Sequence, residues 1–415
     1  MTSSAQQWIG EAPGRIDVLG GVADYSGSLV LEMPMNGVTR VAVSATHDDT
    51  IRLQSVQKGT YTIALGEIRS LLGKTTTGIR ERFETERVPH WTRYSLGCLL
   101  LFGDAMQWWP ESGLAFEIDS AVPASMGVSS SAALEVATLR ALEKVAGKSF
   151  SGTVLARMAQ QVENEIVGAP CGLMDQLASA HGVPDSLLPI LCRPDLLSAP
   201  VPLPDGVIAV GWPSGVKHAI SDSPYATARA AAFMGKKVLE TALGVSFGFL
   251  TELRPSQARV VGEDVLPQTI SGADFLARYG NVDDALTTIE PERVYPLRAG
   301  ALFPIEENFR CEAAAVLLRS ASDENRIAAL QAVGELMFQS HAGYTSIGLG
   351  HPTTDAMVEA VRKLGSEGGF YGARVSGGGS GGTVVVLLER DALAELQALA
   401  SDASGPAAEP SQLIW

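Results

Sequence analysis

The sequence is short of basic residues, of cysteine and of long apolar stretches. Its 415 residues carry 31 Lys and Arg against 46 Asp and Glu, a formal net charge of −15. This acid excess argues against a nucleic-acid-binding protein, because binding to phosphate backbones relies on basic side chains that release counterions. It is compatible with a small anionic ligand, since a few backbone amides and one or two cations reverse the field locally.

Three further absences concern the cellular compartment. No stretch approaches the ~20 apolar residues that span a bilayer, and the N-terminal segment lacks the basic and then apolar order of a signal peptide. The sequence has no Asn-x-Ser/Thr sequon, and Cys98, Cys171, Cys192 and Cys311 show no CxxC spacing. We therefore expect a cytoplasmic protein whose cysteines are reduced and buried as small apolar side chains.

What the sequence does contain is enough apolar material for more than one core. Hydrophobic residues make up 46% and charged residues 19% of the chain, whose length suits two or three domains. Apolar and polar residues alternate in 37–65, which predicts strands, whereas Ala- and Leu-rich patterns predict helices later in the chain. Helices are predicted over 92–108, 130–146, 153–167, 224–243 and 325–341, and further strands over 113–118 and 372–388.

This order of elements indicates an α+β fold class with two lobes. The Pro-rich stretch around 198–205 is the predicted boundary. The lobes are therefore expected over residues 1–204 and 205–405, followed by a loose tail over 406–415.

Three glycine-rich segments stand out, and the first is Ala12–Gly27, with the sequence APGRIDVLGGVADYSG. A strand-like stretch runs into a Gly-Gly turn and then into a short acidic and aromatic stretch. One Arg and two Asp around such a turn are suited to binding a polyhydroxy ligand. A solvated hairpin is the purely structural alternative.

The second segment is Pro123–Glu135, with the sequence PASMGVSSSAALE. Its three serines precede the predicted helix 130–146, whose free backbone N–H groups and positive dipole end favour an anion such as phosphate. The serine hydroxyls add donors for phosphate and an oxygen ligand for Mg²⁺. An ordinary helix N-cap is the alternative, although it needs only one of the three serines.

The third segment is Gly372–Thr383, with the sequence GARVSGGGSGGT. Its letters contain both GxGxxG and GxSxG, but a dinucleotide fingerprint and a nucleophile elbow each require a following helix. A β-branched strand follows here instead, so both interpretations fail. What remains is a strand–loop–strand whose backbone allows close approach of a second body.

Together the three segments carry a family resemblance. The order APGRxDxLGGxxDYSG, PxxxGxSSSAA and GARxSGGGSGG, with CGLMDQ at 171–176, resembles the GHMP kinases, and their galactokinase branch in particular. The resemblance covers most of the chain. It implies an α+β N-terminal lobe of mixed sheet and helices, a ferredoxin-like C-terminal lobe, ATP and a small monosaccharide as substrates, and Mg²⁺ as the metal.

The resemblance also implies roles for individual residues. Asp175 is the carboxylate beside the sugar hydroxyl that is phosphorylated, and Arg15 lies near it and the γ-phosphate. Ser131, or its neighbour Ser130, and Glu163 are the implied Mg²⁺ ligands. The residues implied in sugar binding are Asp24, Gly21, Val22, Gly172 and Tyr225. Those implied in ATP binding are Trp91, Tyr94, Gly127, Ser129, Ser130, Ser131, Ala132, Gly378 and Gly379.

The sequence departs from the galactokinase pattern at one place. Galactokinases carry Gly-Glu-His-Thr-Asp-Tyr where this chain has Gly20-Gly-Val-Ala-Asp-Tyr25. In that family the Glu reaches the hydroxymethyl oxygen of galactose. L-Arabinopyranose has the ring stereochemistry of galactose without the hydroxymethyl group, and an unpaired Glu in a closed site would cost about 1–3 kcal/mol. Val22 is expected to fill part of the space that the Glu and His leave.

The segments 20–34, 304–309 and 334–341 resemble the kinase part of plant-type L-arabinokinases. The activity that this resemblance implies is the ATP-dependent phosphorylation of L-arabinose at its anomeric hydroxyl. Two alternatives stay open at this point. The first is a galactokinase whose contact to O6 comes from elsewhere in the chain. The second is a non-catalytic, galactokinase-like sugar sensor, which the presence of SSSAA and of Asp175 disfavours.

Overall fold

A computed structural model of the chain describes residues 6–169, 171–193, 195–216, 224–403 and 413–414. The chain divides into two compact units, each made of separate stretches of sequence. The first unit draws on the described residues of 1–15, 35–124 and 129–182, and the second on those of 16–34, 125–128 and 183–415. The Pro-rich stretch 198–205 lies within the second unit. The lobe boundary expected there stays a prediction.

The elements alternate between strand and helix without a simple period. The strands are β1 (Trp8–Leu19), β2 (Leu29–Ala45), β3 (Thr50–Ser55), β4 (Gly59–Ala64), β5 (Leu114–Ser120), β6 (Ser186–Leu191), β7 (Leu196–Leu197), β8 (Val201–Pro202), β9 (Val207–Pro213), β10 (Ile270–Ser271), β11 (Val294–Tyr295), β12 (Phe370–Val375) and β13 (Thr383–Glu389). The α-helices are α1 (Leu65–Arg69), α2 (Thr76–Thr85), α3 (His90–Met106), α4 (Ser130–Ala146), α5 (Gly152–Gln161), α6 (Met174–His181), α7 (Pro224–Leu243), α8 (Pro255–Val265), α9 (Gly272–Tyr279), α10 (Leu297–Arg319), α11 (Arg326–Ser346), α12 (Pro352–Leu364) and α13 (Leu393–Ala403).

The first unit is built on a mixed sheet with the strand order β4-β3-β5-β2. Strand β3 is antiparallel to β4 but parallel to β5, and β5 is antiparallel to β2. Leu53 of β3 lies opposite Phe116 of β5, and Val43 of β2 lies opposite Phe116 on the other side. These fully buried side chains form one core with the apolar faces of α3 and α4, so the sheet is a platform for the two helices.

The strongest helix prediction is confirmed residue for residue in the first unit. Helix α4 spans Ser130–Ala146 and ends at Gly147, whose φ of 63° is the left-handed conformation that glycine adopts at helix ends. The predicted helix over 153–167 is α5, followed by one π-helical stretch, Val162–Val167. Such stretches in α-helices are frequent at functional sites, because the extra residue re-aims the side chains.

The second unit contains an antiparallel sheet with the order β12-β13-β9, in which Val386 of β13 lies between Ala373 and Val210. Strand β6 pairs with the first residues of β2, Leu29–Glu32. Helix α7 matches its predicted range of 224–243. The long helix α10 was not predicted, because it carries Pro304 in its interior, a residue that usually ends a helix.

The structure also bears on the expected C-terminal tail, on the burial of the cysteines and on membrane-spanning helices. Within the tail expected over 406–415, Leu413 and Ile414 are buried, and Ile414 exchanges two backbone hydrogen bonds with Gly211 of β9 at 2.6 and 2.8 Å. Cys98 and Cys311 are buried as expected, and Cys171 and Cys192 are half-buried. Among the described residues, no helix has both the length and the apolar character required to cross a bilayer.

Candidate active site

The triple-serine segment begins α4 in an unusual way. Ser129 is the N-cap residue, but it adopts the left-handed conformation with φ of 59°, and its hydroxyl makes no capping hydrogen bond. That hydroxyl is buried and has no hydrogen-bond partner among the described residues, a state that costs free energy unless a ligand satisfies it. Ser130, Ser131 and Ala132 form the first turn, whose N–H groups have no acceptor within the helix. The local structure therefore favours an anion site over an ordinary cap.

Glu163 lies in the π-helical stretch and points to the same helix start. Its carboxylate accepts a hydrogen bond from Gln176 Nε2 at 2.7 Å and one from the Ser131 hydroxyl, and the Cys171 Sγ lies 3.5 Å away. Burial raises the pKa of Glu163 to about 7, with a further contribution from the charge of Asp175. The two residues implied as Mg²⁺ ligands, Ser131 and Glu163, are thus in hydrogen-bonding contact.

A second buried carboxyl group, Glu135, was not predicted from the sequence. It lies in α4, fully buried, and Gln176 Nε2 reaches both its Oε2, at 3.4 Å, and Glu163. Burial, and then the charge of Glu163, raise the pKa of Glu135 well above its ordinary value. One signal was present: Glu135 lies between Ala132 and Leu139 on the apolar face of the predicted helix.

Asp175 and Arg15 form the ion pair that the sequence resemblance implied. Asp175 opens α6, and Arg15 of β1 donates from both Nε and Nη2 to its Oδ1, at 2.9 and 2.6 Å. The side chain of Arg15 is 4% exposed, and that of Asp175 is 20% exposed. A buried cation therefore fixes a carboxylate that solvent still reaches. Gly172, half-buried, lies three residues before Asp175.

The two aromatic residues assigned to the adenine lie one turn apart in α3. Trp91 and Tyr94 are both partly buried and pack on the core of the first unit. Burial, and then the charge of Glu163, raise the pKa of the Tyr94 hydroxyl. Tyr94 is therefore close to the carboxylate cluster of Glu163 and Glu135. The contact of either ring with adenine stays a prediction.

Three of the residues assigned to sugar binding, Gly21, Val22 and Asp24, lie in the second unit. They form one short 3₁₀-helix, Gly21–Ser26, in which Asp24 is 6% exposed and accepts the N–H of Tyr25 at 2.7 Å. Tyr225 of α7 packs edge-on against the Tyr25 ring, with the ring centres 6.0 Å apart. Asp24 and Tyr225 therefore both contact Tyr25.

Val22 is buried, and the expectation that it fills part of the space left by the Glu and His stays a prediction. Its side chain is 2% exposed and packs in an apolar cluster with Phe303 and Tyr344. The volume next to Gly21 is occupied by the Tyr344 hydroxyl, where a Cβ on Gly21 would lie. Tyr344 was missed by sequence reasoning, and no local pattern singles it out.

The third glycine-rich segment forms the connection between β12 and β13. Gly377 and Gly379 have φ of 67° and 74°, and a Cβ on Gly378 would meet no atom within 4 Å. The backbone around Gly127 is tied to this sheet, because the Thr383 hydroxyl donates to the Met126 carbonyl at 2.8 Å. Of the three glycines assigned to ATP, Gly378 is exposed and Gly127 is half-buried, so their backbone is open to close approach. Gly379 is buried, and a Cβ on it would lie 2.8 Å from the carbonyl oxygen of Leu349. Lys217 and His218, which belong to a segment similar to galactokinases, fall outside the described residues.

Comparison with known families places this geometry in context. The model described as GHMP kinases N terminal domain matches residues 93–183, and that described as GHMP kinases C terminal matches 326–403. A third, the galactokinase galactose-binding signature, matches residues 2–45. A galactokinase of Chloroflexus aggregans is 32% identical over 94% of this chain and 86% of its own length. The chain belongs to the GHMP kinase family.

Within the family, the chain is of the galactokinase and L-arabinokinase type. An L-arabinokinase of Arabidopsis thaliana is also 32% identical over 92% of this kinase, which spans only 42% of that relative's length. The human galactokinase is 29% identical over 92% of the kinase and 83% of its own length. Identity alone therefore does not choose between the two types.

Solved structures confirm the expected α+β fold class. The Lactococcus lactis galactokinase in complex with galactose superposes with a TM-score of 0.74 at 21% identity, covering 98% of this kinase and 92% of that chain. The Methanococcus jannaschii mevalonate kinase superposes with a TM-score of 0.62 at 16% identity, covering 100% and 98%. The second match shows that a mevalonate kinase shares this fold as well.

Proposed function

We propose that this kinase transfers the γ-phosphoryl group of ATP to the anomeric hydroxyl of L-arabinose, giving L-arabinose 1-phosphate. The observation that supports this substrate is the absence of a side chain at Gly21, where galactokinases carry the Glu that reaches the hydroxymethyl group. Because the Tyr344 hydroxyl occupies the volume of a Cβ there, no carboxylate from this position reaches a sugar. A pentose that lacks the hydroxymethyl group leaves no polar atom unpaired at this point.

Arg15 and Asp175 carry the chemistry on the sugar side. The carboxylate of Asp175 accepts the proton of the anomeric hydroxyl as its oxygen attacks the γ-phosphorus, and ADP leaves with the electrons of the broken bond. Arg15, with two N–H groups on Oδ1 of Asp175, orients that carboxylate and adds positive charge near the transferring group. Asp24 and Tyr225, with Gly172 and the segment of Gly21 and Val22, bind the sugar. The N–H groups of Gly21 and Val22 are already bonded to Asp17 and Tyr344, so this segment shapes the pocket and does not donate to sugar hydroxyls through them.

The nucleotide phosphates are assigned to the start of α4 and to the glycine loops. The buried hydroxyl of Ser129 has no partner in the part of the chain that the structure describes, and the N–H groups of Ser130, Ser131 and Ala132 have no acceptor within the helix. Both are suited to phosphate oxygens. Gly127 and Gly378 offer open backbone for close approach, Gly379 holds the turn of the same loop as Gly378, and Trp91 and Tyr94 flank the adenine.

The donor set of Ser131 and Glu163 fits Mg²⁺. Both residues offer oxygen ligands, and Mg²⁺ is usually held by one or two carboxylates together with substrate phosphates. When bound, the ion neutralises charge that develops on the transferring phosphoryl group. Gln176 holds the Glu163 carboxylate in place at 2.7 Å, as outer partners of metal ligands commonly do.

The cytoplasmic location expected from the sequence stays a prediction.

An assay of ADP release with Mg-ATP tests the proposal by comparing kcat/KM for L-arabinose and D-galactose. A preference for L-arabinose supports it. The second candidate is a galactokinase, which the galactose-binding signature over residues 2–45 favours. Equal or better turnover of D-galactose supports this second candidate. Sugar binding without turnover of either sugar indicates the non-catalytic sensor.

A further inference from the structure

Gly21 is a position at which three neighbours exclude any side chain. A Cβ built on it would overlap the Tyr344 hydroxyl oxygen, and would lie 2.7 Å from Asp17 Oδ2 and 3.0 Å from Arg374 Nη2. The φ of Gly21 is 49°, in the left-handed region that disfavours L-residues. Of the three neighbours, Tyr344 makes the closest approach, so it contributes the strongest part of the exclusion.

Tyr344 is held in this place by hydrogen bonds at its hydroxyl and by packing of its ring. The hydroxyl accepts the N–H of Val22 at 3.0 Å and donates to the carbonyl of Gly377 at 2.8 Å. Phe303 packs edge-on at 5.4 Å between ring centres, and the Arg374 guanidinium lies 4.8 Å from the Tyr344 ring centre. The fully buried side chain has no room to swing away from Gly21.

A fully buried ion pair binds the same two chain segments. Arg374 Nη1 donates to Asp17 Oδ2 at 2.9 Å, and neither side chain is exposed. Asp17 in turn accepts the N–H of Gly21 at 3.1 Å on Oδ1 and the N–H of Gly377 at 3.1 Å on Oδ2. The segment at Gly21 and the glycine loop at Gly377 are therefore fixed to each other through Asp17 as well as through Tyr344.

We infer that Tyr344 is a specificity-determining residue that need not touch the sugar itself. Its hydroxyl excludes a side chain at position 21 and accepts the N–H of Val22. The inference rests on the proposed function in taking Gly21–Asp24 as a sugar-contacting segment. The absence of the galactokinase Glu at position 21 is then a consequence of the space that Tyr344 occupies. A side chain at position 21 is tolerated only when residue 344 is smaller.

The test is a double-mutant cycle of Gly21→Ala and Tyr344→Leu, read by the midpoint of thermal unfolding and by kcat/KM for L-arabinose and D-galactose. We expect Gly21→Ala to lower the midpoint strongly in the parent and much less in the Tyr344→Leu background. We also expect the galactose-to-arabinose ratio of kcat/KM to change by about tenfold in the double variant, the scale of a small change in pocket shape.

Two controls match the chemistry of the two substitutions. Gly147→Ala places a Cβ at a left-handed φ of 63° and ψ of 30°, where no atom of the described residues lies within 4 Å, so it measures the backbone strain without a clash. Tyr295→Phe removes another buried tyrosine hydroxyl, which accepts the N–H of Glu290 at 2.8 Å. Neither variant should change the sugar ratio, and Tyr295→Phe should not alter the cost of Gly21→Ala.

The outcomes separate this inference from the proposed function. Equal midpoint losses for Gly21→Ala in both backgrounds overturn the exclusion, whatever the kinase phosphorylates. Coupled midpoints with an unchanged sugar ratio in the active double variant overturn the role in specificity. A parent that phosphorylates neither sugar overturns the proposed function and with it the role in specificity, whereas the midpoints still decide whether Tyr344 excludes a side chain at Gly21.

Discussion

Arg15 donates two hydrogen bonds to a single oxygen of Asp175, although the two residues lie 160 positions apart in the sequence. Arg15 lies within β1, at the last position of the stretch that this strand gives to the first unit, and Asp175 lies in the first turn of α6. Charge-assisted hydrogen bonds of this kind are stronger than those between neutral groups. The pairing fixes the orientation of a carboxylate whose side chain is 20% exposed and so remains open to a substrate.

Replacing Asp175 with Asn should separate catalysis from binding. We expect kcat to fall about 10²- to 10⁴-fold, since the amide does not accept the hydroxyl proton. Sugar binding, measured as the shift of the unfolding midpoint by sugar alone, should persist. Asp119→Asn, at an exposed position of β5, is the matched control and should keep full activity. Full activity in Asp175→Asn would remove this residue from the mechanism.

Replacing Glu163 with Gln should weaken the dependence on Mg²⁺. Changes in the outer partners of a metal typically cost 10- to 100-fold in affinity, so the loss of a direct ligand should raise the Mg²⁺ concentration for half-maximal rate at least about tenfold. The measurement is the rate of ADP release against Mg²⁺ at saturating ATP and sugar. Glu165→Gln, two residues away and exposed, should leave the curve unchanged. A shift of similar size in both variants would argue against Glu163 as a ligand.

Ser129→Ala should lower ATP binding at little cost in stability. The Ser129 hydroxyl is buried and bonds to none of the described residues, so its removal should change the free energy of unfolding by less than about 0.5 kcal/mol. If it binds a phosphate, KM for ATP should rise about fivefold, the equivalent of a ~1 kcal/mol hydrogen bond.

The matched variant for this prediction is Ser151→Ala. The Ser151 hydroxyl does cap its helix, because it accepts the N–H of Val154. Its removal should cost about 1 kcal/mol of stability and leave KM for ATP unchanged. A loss of stability in Ser129→Ala with no effect on KM would indicate a structural serine.

His341 should make the stability of the second unit depend on pH. Burial lowers the pKa of His341, although the nearby Asp355 opposes the shift, and Arg374 and Arg362 add to it. The neutral ring is consistent with its contacts, because Nδ1 accepts the N–H of Val375 and Nε2 lies 3.0 Å from Asp355 Oδ1. The unfolded chain therefore binds this proton at a higher pH than the folded chain does.

It follows that the stability contributed by the neutral ring is present above pH ~6.5, the ordinary value for histidine, and is lost as pH falls below it. The free energy of unfolding of His341→Gln should fall less steeply between pH 6.5 and 5, by up to about 1.4 kcal/mol per pH unit. Chemical denaturation across this range measures the slope. His47→Gln, at an exposed position, should keep the slope of the parent, and an equal slope in His341→Gln would contradict the prediction.

Local sequence pattern was sufficient for the parts of the fold that local chemistry determines. Helices α4 and α7 were predicted with their bounds, because Ala-rich composition and the flanking Gly147 and Pro224 mark them clearly. The strand–glycine loop–strand of β12 and β13 was also predicted. Helix α10 was missed, since packing of its buried residues outweighs the interior Pro304.

The site was predictable only where a motif carried it. The contact between Ser131 and Glu163 and the pair of Arg15 with Asp175 agree with the family resemblance. Tyr344, by contrast, acts on a residue 322 positions away through one hydroxyl. Nothing in its local sequence distinguishes it from an ordinary core aromatic, so its role depends on long-range packing alone.

A Cβ at position 21 would overlap the Tyr344 hydroxyl. If the proposed role of Tyr344 holds, this overlap also sets the order in which related kinases change residues 21 and 344. A lineage that carries both residues gains a side chain at position 21 only after residue 344 has become smaller, because the reverse order begins with a steric clash in a buried network. The combination of glycine at 21 and a small residue at 344 is therefore the sterically permitted step between the two states. Sequences of that kind are where substrate ranges should be broadest.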